Sequence, residues 1–81
     1  MPRSVLPIGE VLKAIRDELG LSQEEVALRA CVSRQLITAF ESGRKKPSLS
    51  MLPWLAGALQ LRPSEILHRA EQLQEQRKQI A

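Results

Sequence analysis

Between Gln23 and Ser42 the chain reads QEEVALRACVSRQLITAFES, and this stretch restricts the fold more than any other. Val26, Ala30, Val32, Ile37 and Phe40 supply the apolar positions of two short helical patterns, broken at Cys31-Val32-Ser33. Ser22 stands before the first pattern and Glu25 follows three residues later, the S-x-x-E spacing of a reciprocal capping box. Leu21 and Val26 flank it as a hydrophobic staple. Ser33 is placed to cap the second helix, which the pattern carries to Ser42 and Gly43 stops. Ala27 puts a small side chain where the two helices must cross closely.

The remaining segments read as support for that pair. After a short tail, residues 1–6, Pro7 is a good first-turn residue, and Ile8, Val11, Leu12, Ile15 and Leu19 recur at helical spacing until Gly20 closes the helix. The tail, with Arg3, is either disordered or a gripping arm. A fourth helix carries Leu52, Leu55, Ala56 and Leu59; Pro53 fixes its start near Ser50 or Met51, because proline fits only the first turn. Pro63 opens a fifth, and Ile66 and Leu67 close the core. Residues 68–81 continue as a polar helical extension. In it Ile66, Ala70, Leu73, Arg77 and Ile80 are spaced alternately by four and three, a heptad-like seam that Arg77 weakens. The extension is either a dimerisation element or a frayed terminus.

Composition narrows the function. Eighty-one residues make one small domain, and an apolar fraction of 43% suits a folded globule. Phe40 and Trp54 are the only aromatic residues, so aliphatic side chains must fill the core. No apolar run approaches the roughly 20 residues of a membrane span, and no secretory signal is read. One cysteine and one histidine offer no metal cage and no nucleophile–base pair; no cofactor, catalytic residue or metal ligand is expected, and a reducing cytoplasm fits. The net charge of +3 gathers in residues 29–46, where Arg29, Arg34, Arg44, Lys45 and Lys46 oppose Glu41 alone.

LSQEEVALRACVS and ESGRKKPSL, with the pattern from Ile8 to Leu67, resemble the lambda-repressor-like, Xre/Cro-type helix-turn-helix DNA-binding domains. The resemblance implies an all-α, five-helix fold whose third helix lies in a DNA major groove. It implies an ion pair between Arg16 and Glu41, and it places Gln23 against a phosphate. Three positions depart from the family pattern. Cys31 and Gln60 stand where glycine is usual, and Trp54 stands where a polar residue is usual, so it either packs along the surface or marks a partner surface.

At about 100° per residue, Ile37, Phe40 and Glu41 of the third helix face inward, while Gln35, Thr38 and Ala39 face the opposite way and Arg34 projects from the start. Arginine pairs with guanine and glutamine with adenine, and Leu36 or Ala39 can touch thymine methyls, so Arg34, Gln35, Leu36, Thr38 and Ala39 are the expected base readers. Arg44, Lys45 and Lys46, with Gln23, Ser33 and Ser42, are the expected phosphate contacts. One recognition helix per chain implies a homodimer on a palindromic operator, with Trp54, Ile66, Ala70, Leu73 and Ile80 as the exposed candidates for its interface. The reading is a sequence-specific regulator of transcription, a repressor, whose partners are double-stranded DNA, a second copy, and a protein such as a toxin or RNA polymerase. The alternative is an interaction module or antitoxin subunit that uses the same fold.

Overall fold

A computed structural model describes residues 6–80; residues 1–5, with Arg3, and residue 81 lie outside the described residues. Five helices follow one another, with no strand among the described residues: α1 (Ile8–Glu18), α2 (Gln23–Ala30), α3 (Arg34–Ser42), α4 (Leu52–Ala58) and α5 (Pro63–Ile80). α1 packs on α3 and α5, α2 packs on α3 and α4, and α4 packs on α5.

The turns are built from local hydrogen bonds. The Ser22 hydroxyl accepts the Glu25 N–H and the Glu25 carboxylate accepts the Ser22 N–H, both at 3.0 Å, so the capping box is complete. α1, α2 and α4 end in one shared way. The N–H groups of Gly20 and Leu21, of Cys31 and Val32, and of Gln60 and Leu61 each turn back onto carbonyls of the last helical turn. This closure needs a left-handed residue, and Gly20 (φ +69°), Cys31 (φ 58°) and Gln60 (φ 61°) provide it. Two of the three carry side chains and accept strain of about 1 kcal/mol each. Pro53 falls in the first turn of α4 as its rigid φ requires, with the Ser48 hydroxyl accepting the Met51 N–H just before the helix.

The core is aliphatic apart from Phe40. Val11, Leu12 and Ile15 meet Val26, Ala27 and Ala30, Ile37 and Phe40, and Leu52, Leu55, Ala56 and Leu59. No polar or charged residue is buried among the described residues. Gly9 lets α1 and α3 approach backbone to backbone, because a Cβ there would stand 1.9 Å from the Phe40 carbonyl oxygen. Leu19 is exposed, unlike the rest of the apolar stripe of α1.

The C-terminal extension is not a separate element. α5 runs unbroken from Pro63 and lies along α1. Ile66 and Ala70 are fully buried, Leu73 packs partly buried against the same core, and the Ile80 side chain lies outside the described residues. Ile66, Ala70 and Leu73, offered by the heptad-like spacing as a surface for a second copy, face the chain's own core between α5, α1 and α4 instead. The physical reason is continuity. A straight helix keeps positions four and three apart on one side, and Ile66 anchors that side in the core. Arg77 then pairs with Glu10, and Arg69 with Glu18 at 3.3 Å. Leu6, assigned to the tail, is half-buried against the core.

Candidate nucleic-acid interface

Ser33 positions α3: its hydroxyl accepts the Leu36 N–H at 3.1 Å, leaving the hydroxyl hydrogen to donate outward. From this capped start Arg34 and Gln35 are exposed, and Leu36 is half-covered. After Gly43 (φ +81°) the chain doubles back, and the Lys45 N–H donates to the Ala39 carbonyl at 3.2 Å. That bond brings Arg44, Lys45 and Lys46, all exposed, beside α3. Ser33, Gln35, Leu36, Ala39, Arg44 and Lys45 line one shallow recess. Two cations and a glutamine amide therefore share a recess with no acidic residue, and exposed Arg34 and Lys46 adjoin them in the chain, a surface suited to phosphate and base edges.

Glu41, the one acidic residue of α3, is held by the protein itself. Arg16 donates to it twice, from Nε at 2.7 Å and from a terminal nitrogen at 3.0 Å. The other terminal nitrogen donates to the Leu21 carbonyl at 2.8 Å. The two side chains are 12% and 5% exposed, so the fork is largely shielded from water. The hydrogen bond to Glu41 raises the pKa of the guanidinium above its ordinary value, against the opposing effect of burial. The Gln23 amide extends the network: its Nε2 donates to Glu41 at 3.0 Å, and its Oε1 accepts the Thr38 hydroxyl at 2.9 Å.

Five residues are placed or engaged in ways the sequence did not suggest. Ala39 is 7% exposed, because the Arg44–Lys45 turn folds over it; it floors the recess instead of facing outward. Thr38 turns its single hydroxyl hydrogen to Gln23 and to the Arg34 carbonyl, back toward the protein. Ser42 donates to the Ala39 carbonyl at 3.2 Å and accepts Arg44 Nε at 3.3 Å, so its hydroxyl is engaged internally. Gln23 has one amide hydrogen engaged by Glu41, which leaves the second for a phosphate. Arg29, counted with the basic cluster, reaches the Ala58 carbonyl at the end of α4 instead. Gly9 was missed, although an isolated glycine inside an apolar helical pattern is itself a sign of close packing. Trp54 is 60% exposed, on α4.

The immunity repressor of Bacillus phage phi105 is 40% identical to this chain over 62 residues, 76% of this chain. The chain spans 43% of that repressor's length. Among solved structures, the clp gene regulator ClgR from Corynebacterium glutamicum superposes with a TM-score of 0.87 at 25% identity, covering 95% of this chain and 84% of that one. The master regulator for biofilm formation SinR, in complex with DNA, gives 0.69 at 28% identity over 74% of this chain and 97% of its own. A family model described as helix-turn-helix matches residues 12–66, more than half of the sequence, and the chain belongs to this lambda-repressor-like helix-turn-helix family.

Proposed function

We propose that this protein represses transcription by binding a palindromic double-stranded DNA operator as a dimer, with α3 in the major groove. The observation that carries the reading is Gln35, at the capped start of α3 beside exposed Arg34, sharing one recess with Arg44 and Lys45. Arg34 and Gln35 read bases by bidentate hydrogen bonds, and Arg44, Lys45 and Lys46 set register on the phosphates. Ser33 and the free hydrogen of Gln23 add neutral donors at the same edge. Leu36 supplies apolar contact, while Ala39 and Thr38 shape the surface from below. Similarity to a phage immunity repressor and to a regulator seen bound to DNA supports this reading. The protein acts as a regulator, not an enzyme, in the compartment that holds the DNA, and no described helix is long and apolar enough to cross a membrane.

Selection of binding sites from a random duplex pool tests the proposal. A two-fold symmetric consensus is the expected result. An unselected pool after several rounds would leave the fold serving an interaction module or antitoxin subunit instead.

A further inference from the structure

Thr38 falls on the outward side of a helical wheel, yet its hydroxyl is engaged within the protein. It donates toward the Arg34 carbonyl one turn back at 3.1 Å, a bond that holds the threonine rotamer, and toward Gln23 Oε1 at 2.9 Å. The same amide also meets Glu41, whose carboxylate accepts Gln23 Nε2 at 3.0 Å. We propose that Thr38 and Glu41 are positioning residues for Gln23: together they lock its amide in one orientation, with the second Nε2 hydrogen held for a DNA phosphate, so that Thr38 sets affinity for every duplex and has no part in sequence choice. The inference rests on the DNA-binding reading above and deepens its phosphate contact.

Donors and acceptors fix that orientation. A carboxylate only accepts, and Glu41 is already clasped by two Arg16 N–H groups, so the amide atom that faces it must be Nε2. A flipped amide would set Oε1 against the carboxylate, acceptor against acceptor. A hydroxyl tolerates either orientation, so Glu41 chooses it and Thr38 holds the other end of the amide against rotation. The Glu41 side chain is 5% exposed, and Gln23 and Thr38 are half-buried, so water competes weakly for these bonds while the amide stays within reach of a ligand. Nε2 carries two hydrogens and Glu41 takes one; with the amide plane fixed, the other has a set direction. Through Arg16 the chain of contacts ties the start of α2 to α1 and to the end of α3, and a donor held this way meets a phosphate without first having to be ordered.

Thr38→Val keeps the shape of the side chain and removes the hydroxyl, and Thr38→Ser keeps the hydroxyl. At one salt concentration, the affinity of the full chain for its selected duplex should fall about 3- to 10-fold in Thr38→Val, with the selected sequence unchanged, and recover in Thr38→Ser. Gln23→Ala should weaken binding about tenfold or more, and adding Thr38→Val to it should cost nothing further, because the hydroxyl acts only through the amide. In the DNA-free protein, the order parameter of the Gln23 side-chain amide from nitrogen relaxation should fall in Thr38→Val and hold in Thr38→Ser. Unchanged affinity or altered sequence preference in Thr38→Val, a full further loss in the Gln23→Ala background, or an amide equally ordered without the hydroxyl overturns the proposal. The regulatory reading is judged separately. A chain that retains no duplex overturns that reading, while an amide ordered by Thr38 still upholds the lock; retained duplexes with an amide indifferent to Thr38 do the reverse.

Discussion

At the scale of single residues, the proposed function assigns base readout and phosphate contact to different side chains. Gln35→Ala should cost about 1–3 kcal/mol on the selected site and relax preference at one or two base positions, checked by repeating the selection with the variant. Lys45→Ala should weaken all sequences alike and reduce the slope of log affinity against log salt by about one unit, checked by titrations at several salt concentrations. Glu41 is different again, because it touches no DNA in this reading. Glu41→Ala strands the Arg16 guanidinium in a site only 12% exposed and should cost about 3 kcal/mol of stability. A double-mutant cycle with Arg16→Ala in urea should show coupling above about 1 kcal/mol; additive losses would overturn the pairing. The residues that a helical wheel places outward at the start of α3 were legible in the sequence. Ala39 and Thr38 were not, because a wheel knows nothing of the turn after Gly43, which covers Ala39, or of Gln23 across the helix pair, which captures the Thr38 hydroxyl.

Elements report on caps and crossings. Hydrogen bonds from Ser22 lower the Glu25 carboxyl below its ordinary value of 4.5, the backbone N–H having the larger effect. A depressed folded value means that the stabilisation is fully present above the unfolded value and is lost as pH falls through the folded one. Acid unfolding should therefore show a contribution just below pH 4.5 that Glu25→Gln removes, since the amide keeps the capping geometry but does not titrate there. Cys31→Gly and Gln60→Gly should each stabilise by about 0.5–1 kcal/mol, because both positions are left-handed and glycine relieves more strain than its added unfolded freedom costs. Gly9→Ala should destabilise by about 1–3 kcal/mol, since α1 must retreat from the Phe40 carbonyl. Thermal unfolding of the three variants checks both signs. Helix boundaries and caps were readable because their hydrogen bonds join residues three to five apart. The α1–α3 approach was not, since it depends on Gly9 meeting Phe40, a pairing that periodicity does not encode.

For the whole molecule, the decisive arrangement is α5 lying back along α1. The Arg77–Glu10 and Arg69–Glu18 pairs are about half-exposed and contribute about 0–1 kcal/mol each, so Arg77→Ala should leave urea unfolding nearly unchanged. Ile66→Ala removes a fully buried side chain and should cost about 2–5 kcal/mol in the same assay. The heptad-like spacing of Ile66, Ala70 and Leu73 was real, but spacing identifies an apolar side without naming the surface that covers it. The same arrangement has a consequence for how the chain comes into being. During synthesis the first helix emerges long before the helix that roofs it, at about 5–20 residues per second. Until Ala70 has cleared the ribosome, the apolar stripe of Val11, Leu12 and Ile15 has no complete cover. The helix pair formed by residues 22–46 is thus made early, yet it stays loosely mounted on α1 until α5 arrives.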